Sequence, residues 1–390
     1  MTITERQARF GRWAMTAMFL ANGFIIGSWA PQIPLVMSRL AINETLLGVL
    51  ILLFGIGALI AMPSCGYLMG RHGSRRVLRV FALMSCLGLP LVVLAPNFWA
   101  VMPAMVFFGA AVGGMDVTMN TNAVAVEQHL GRAIMSSSHG FWSLGGFFGG
   151  GLGGIAIQKA GYLVHAGVVT GVVLAVVLTA WHFLLADPHR QVDEHRQATR
   201  FSWPSSPLIY LIGSVALFSM IPEGAVLDWA ALYLQQELGA DIAMAGFAFA
   251  AFSGAMAVMR FLGDRVRARF GAVRTLRVSA LIAATGILVA GLATSPLVAI
   301  GAFAFAGLGI ANMVPIAFSA AGNQDGVAPG TGMSVVTTMG YSGILVAPSV
   351  VGFVGERTGF GPIYVALAVL LVIVCVKADL VRSADFTHRR

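Results

Sequence analysis

Long apolar runs recur from Trp13 to Leu380, each ended by a short cluster of polar, Gly or Pro residues. By hydropathy they cover roughly 13–38, 45–69, 77–95, 98–125, 135–157 and 163–185, and then roughly 207–235, 243–262, 276–293, 297–320, 330–352 and 362–380. Each is close to the roughly 20 residues that a helix needs to cross the hydrocarbon core of a bilayer. A polar stretch, Asp187 to Pro204, separates the two sets. The pattern predicts an all-α membrane protein of twelve transmembrane helices: an N-terminal six-helix bundle over 1–186, a cytoplasmic linker over 187–206 and a C-terminal six-helix bundle over 207–390.

The two halves echo each other at an offset of about two hundred residues, the mark of an internal repeat. Ser28-Trp29-Ala30 returns as Asp228-Trp229-Ala230, and Gly140-Phe141 as Gly340-Tyr341. The basic loop from Arg71 to Arg79 returns from Arg269 to Arg277. Two similar bundles of this kind are expected to face each other around a central cavity and to rock in alternating access.

Composition removes the soluble alternatives: 58% of the residues are hydrophobic and only 10% charged, against the roughly 45–50% apolar content of a soluble domain. The formal charge of +8 would suit a nucleic-acid partner only on a folded soluble domain with a basic face. Here it follows from topology, because with a cytoplasmic N-terminus every Lys and Arg except Arg39, Lys159 and Arg357 falls on the cytoplasmic side, as the positive-inside rule requires. Both termini are therefore expected in the cytoplasm of a bacterium, with the chain in its inner membrane and some attraction to anionic lipid headgroups. Arg6, Arg9 and Arg12 precede a first run that no small-residue cleavage site follows, so it is expected to be retained. Cys65, Cys86 and Cys375 lie in apolar runs without the spacing of a disulfide framework or a zinc site. The 47 glycines, dense at Gly109 to Gly114 and Gly145 to Gly154, point to close helix packing.

The segment Gly66-Tyr67-Leu68-Met69-Gly70-Arg71-His72-Gly73-Ser74-Arg75-Arg76 resembles the loop signature between the second and third helices of the major facilitator superfamily, and the helix count, linker and repeated loop extend the resemblance over the whole chain. Within that superfamily, Ser28-Trp29-Ala30-Pro31, the stretch from Ser138 to Gly145, and Glu223-Gly224 with Asp228-Trp229 are similar to the bacterial MosC-like and YbjJ-like group. The resemblance implies the major facilitator fold and a cytoplasmic gate at Gly66, Arg71, Gly73, Arg75 and Arg76. The narrower group implies an inositol-like or sugar-like solute. The chain departs from the pattern at Gly70, where the family carries an Asp, and at Ala268 in the second half. Asp264, four residues from Arg260, is the expected substitute as an i,i+4 partner, a contact worth only about 0.3–0.5 kcal/mol if exposed.

Ionisable groups inside a bilayer cost roughly 2.5–3.5 kcal/mol each at a helix centre, which makes each a functional candidate. Asp116, His139, Glu223 and Asp228 are the candidates within the runs. Asp116 shares a helix face with Asn120 and lies at a depth similar to that of His139, so a carboxylate–imidazole pair that loads and releases a proton is one reading, and a static bond between two helices is the other. Glu223, after Pro222 and beside Gly224, is the expected cavity-facing acid, while Asp228 is expected nearer the periplasmic headgroups. Asp116, His139 and Glu223 are the candidate proton-coupling groups. No Lys or Arg is expected at mid-membrane depth, which disfavours an anionic solute. Asn22, Gln32, Asn120 and Asn312, with Trp29, Trp142, Tyr341 and Asp228, are the candidate solute-binding set: amides to bond hydroxyls and aromatic faces to stack on a sugar ring.

No nucleotide loop, metal cluster, cofactor motif or nucleophile–base arrangement is present, so an enzyme or ATP-driven pump is not expected. The leading reading is a proton-coupled secondary transporter, expected as a monomer, for a small neutral polar solute. The same acids and aromatics also suit a lipophilic cation in an efflux antiporter, and a non-transporting receptor or assembly factor is the alternative of another class.

Overall fold

A computed structural model of the chain describes residues 5–130, 134–186, 206–324 and 329–385. The described residues are helical throughout, and the chain divides into two compact units, Met1–Gln197 and Ala198–Arg390. The expected linker falls outside the described residues except for Ser206.

In the first unit, α1 (Glu5–Trp29), a 3-10 turn (Ala30–Gln32) and α2 (Ile33–Leu40) make one span. It is followed by α3 (Glu44–His72), α4 (Ser74–Leu94), α5 (Phe98–Leu130), α6 (Met135–Ala160) and α7 (Tyr162–Ala180). In the second unit, α8 (Pro207–Gln236), α9 (Ile242–Phe270) and α10 (Ala272–Gly291) lead to a broken span, α11 (Pro296–Ile310) with α12 (Met313–Gly322). α13 (Pro329–Thr358) and α14 (Gly361–Val376) complete it. Eleven spans among the described residues are long and apolar enough to cross a bilayer alone; α14 makes a twelfth with the 3-10 segment Ala378–Ala384, at a bend of 53°.

The repeat read from sequence is visible in how helices start and stop. Asn43 caps α3 by accepting from the Leu46 amide, and Asp241 caps α9 by accepting from Met244, each filling one of the amides that a helix start leaves unbonded. Gly73 (φ +76°) and Gly271 (φ +79°) both close one helix and open the next. That left-handed backbone is where a β-carbon is strained, which is why the basic loop keeps glycine in both halves.

The packing of the corresponding helix pairs differs. Gly23 and Gly27 of α1 meet Trp142 and Gly146 of α6, while Gly145 and Gly149 meet Leu20 and Phe24, and a β-carbon at any of the four would collide with facing backbone. Without a hydrophobic drive between helices in lipid, such contact is what holds them. In the second unit α8 and α13 are separated by side chains: Met220 lies over Gly340, and Met339 over Gly213.

Candidate functional site

The end of each unit next to the linker, where α7 finishes and α8 begins, is called the linker end below. Trp142, on the glycine-rich face of α6, donates its indole N–H to Asn22 Oδ1 at 2.9 Å. Asn22, 1% exposed, donates in turn to the Val112 carbonyl at 3.2 Å. Three helices of the first unit are thereby tied through two candidate residues, with the amide orientation set by a backbone carbonyl. Trp29 is buried with its ring edge-on to Phe108 at 6.1 Å.

Gln32 closes the 3-10 turn that breaks the first span, and its amide nitrogen reaches both the Tyr162 carbonyl at 3.1 Å and His165 Nδ1 at 2.8 Å. Because the carbonyl can only accept, the nitrogen donates to both, and His165 Nδ1 is the acceptor. Gln32 Oε1 and His165 Nε2 are buried without a partner among the described residues. Gln32 also borders a small cavity of about 110 Å³ shared with Ser38, Arg39 and Tyr162. His165 was absent from the sequence-derived candidates; it stands alone in the apolar run of α7, 133 residues from its partner, and no local spacing announces it. Its signal was the cost of any imidazole in such a run.

Asn120 donates to the Asp116 carbonyl at 2.9 Å and to its carboxylate at 3.3 Å, the same-face pairing expected from i,i+4 spacing. His139 packs edge-on to Phe19 at 5.2 Å. Asp116 is thus bonded by Asn120 of its own helix, and His139 packs on α1.

In the second unit Arg260 reaches Glu223 at 3.5 Å, with side chains 15% and 21% exposed. Glu223 lies sixteen residues into α8, about 24 Å from its linker end, and Arg260 ten residues before the end of α9, about 15 Å from that end. Side chains lean toward their helix N-terminus, so Glu223 leans to the linker end and Arg260 away from it. The long guanidinium stem closes the rest of the gap. Arg260 thus lies within α9, and its guanidinium meets Glu223 of α8. The side chain of Asp264 lies outside the described residues.

Asp228 is 6% exposed, inside the helix bundle of its unit. Tyr364 is held by the Ala225 carbonyl at 3.2 Å. The neighbouring Trp229 stacks on Phe360 at 5.3 Å. Asn312 sits in the break between α11 and α12 with its amide against Gly263, and its Nδ2 is buried without a partner among the described residues. Tyr341 is half-buried on α13.

At the linker end of the first unit, Arg71 lies over the Tyr67 ring at 5.2 Å. Gly66 has open space around it, Arg75 is half-buried and Arg76 exposed. Among the described residues no group of three or more His, Cys, Asp or Glu side chains could hold a metal ion.

The Major Facilitator Superfamily profile matches residues 13–323 and 212–384. An MFS-type transporter of Yersinia pestis is 35% identical over 364 residues, 93% of each chain. Membrane protein MosC of Rhizobium meliloti is 32% identical over 371 residues, covering 93% of this chain and 88% of that protein. Among solved structures, the D-xylose-proton symporter superposes with a TM-score of 0.77 at 14% identity, over 94% of this chain and 96% of that one. The nucleoside transporter NupG gives 0.71 at 12% identity, over 95% and 98%.

Proposed function

The chain belongs to the major facilitator superfamily, a family of transporters and not of enzymes, and on that premise we propose a proton-coupled secondary transporter of a small, neutral, polar solute. It works by alternating access in the bacterial inner membrane, with both termini in the cytoplasm. The carrying observation is the Glu223–Arg260 pair. A lone guanidinium at this depth is costly, and here a carboxylate of the same unit meets its charge. The pair as a whole is neutral, so the buried cation does not call for an anionic solute.

A proton on Glu223 weakens its contact with the Arg260 guanidinium, so the pair responds to protonation. Proton binding and solute binding then act on the same guanidinium, which is what coupling requires. A hydroxyl of a sugar or polyol is an acceptor that fits without adding charge. Asp228 supplies a second acid on the same helix. In the first unit the candidate groups are Asp116, His139 and Asn120, with Trp142 and the buried Asn22, Trp29 and Gln32. Asn312 and Tyr341 complete the solute-contacting set.

A thermal-shift screen of sugars, polyols and cationic dyes on the purified full chain finds the solute class, since specific binding stabilises by RT ln(1 + [L]/Kd). Uptake of the best hit into proteoliposomes then tests coupling. An imposed pH gradient should drive accumulation, and stabilisation by dyes alone would replace this reading with efflux.

A further inference from the structure

At the linker end of the second unit a groove of about 660 Å³ is lined by Leu208, Gln324, Val376, Lys377, Leu380 and Arg382, with Asp379 and Ser383. Its chemistry changes from apolar to cationic within two residues. Val376, 66% exposed, ends the apolar run of α14, so it faces acyl chain where the hydrocarbon stops. Lys377 follows at once, exposed, and among the described residues its ammonium has no partner.

Asp379 is bonded by Arg277 at 2.8 Å and by Arg382 at 3.1 Å. One carboxylate therefore faces two guanidiniums and an ammonium, and the cluster carries a net charge of about +2 at neutral pH. The position is built. Ser383 Oγ donates to the Ala320 carbonyl at 3.0 Å, Arg267 donates to the Ala384 carbonyl at 2.8 Å, and Asp385 accepts from the Ala272 amide. These bonds fix the 3-10 segment across the ends of α10 and α12.

The fold does not require such a groove. Thr179, Trp181 and Leu184 occupy the places in the first unit 198 residues before Lys377, Asp379 and Arg382. There Arg79 covers the Trp181 ring at 4.8 Å, and Phe10 packs on Phe183 at 5.3 Å. The repeat is closed by aromatic rings in one unit and opened and charged in the other.

We propose that this groove binds the headgroup of an anionic phospholipid, with its phosphodiester at Lys377 and Arg382 and its first acyl carbons along Val376, Leu208 and Leu380. A basic residue at a membrane surface adds about 1 kcal/mol toward an anionic lipid, which is about five-fold in affinity.

The test uses the full chain in mixed micelles, with phosphatidylglycerol, phosphatidylcholine or inorganic phosphate added, read by melting temperature and by native mass spectrometry. Phosphatidylglycerol should raise the melting temperature of the wild type and remain bound, while phosphatidylcholine does neither. Lys377→Gln should weaken that effect about five-fold, and Lys377→Arg should restore it. Arg274→Gln, at an exposed arginine outside the groove, should leave it unchanged and so controls for net charge. Equal loss in Lys377→Gln and Arg274→Gln, no loss in either, or full stabilisation by inorganic phosphate would each overturn the proposal.

Discussion

The two units place their polar side chains differently. In the first, buried amides reach a backbone carbonyl of a neighbouring segment alongside a side-chain partner: Asn22 the Val112 carbonyl, Gln32 the Tyr162 carbonyl and Asn122 the Leu185 carbonyl. In the second, the central polar contact joins two side chains, Glu223 and Arg260. The helix packing follows the same division, with backbone-to-backbone glycine contacts between α1 and α6 and methionine-filled contacts between α8 and α13. Backbone anchors fix a geometry, whereas a side-chain ion pair responds to protonation and methionine adapts to a changed neighbour. Under the proposed function, the difference fits a fixed first unit and a proton-responsive element in the second.

The largest effect should come from splitting the ion pair. Glu223→Ala removes the carboxylate that meets the Arg260 guanidinium inside α9 and should cost about 3 kcal/mol of unfolding free energy. Glu223→Ala with Arg260→Ala should recover most of it, and a double-mutant cycle in detergent reads the coupling; additive losses would remove the pair from the account. Next, Gly27→Ala places a methyl group against the backbone at Gly146 and should cost about 1–3 kcal/mol. Gly340→Ala meets the flexible Met220 sulfur, with Ala216 at ordinary contact distance, so it should be neutral or gain up to about 1 kcal/mol of helix propensity. Equal losses in the two variants would erase the contrast in packing.

Trp142→Phe removes the indole donor and leaves Asn22 Oδ1 unbonded, which should cost about 1–2 kcal/mol and weaken solute binding in the thermal-shift titration. The smallest effect belongs to Asp116→Asn, whose partner is on its own helix one turn away. A change in stability of about 0.5 kcal/mol is expected, and loss of gradient-driven accumulation in Asp116→Asn would move the coupling role to the first unit.

Much of the architecture could be read from the chain, because a bilayer demands long apolar runs and the positive-inside bias fixes their order. The Gly73 and Gly271 loops, in particular, show in sequence as a repeated motif and in structure as the same positive-φ junction. The pairing of the polar groups was less legible. Sequence spacing reveals partners on one helix face, as with Asp116 and Asn120. It does not reach Glu223, which meets Arg260 from 37 residues away on a neighbouring helix, where helix direction and side-chain lean decide the meeting. Gln32 and His165 are further apart still. The two-residue break at Ala311 and Asn312 interrupts an apolar run whose hydropathy barely changes.

The division of labour is tested most directly by proton-driven accumulation and solute counterflow measured side by side in proteoliposomes, using the solute found by thermal shift. Glu223→Gln should keep counterflow within about three-fold of the wild type while losing accumulation, since exchange needs binding but not the proton cycle. Accumulation at the wild-type level in Glu223→Gln would contradict the account.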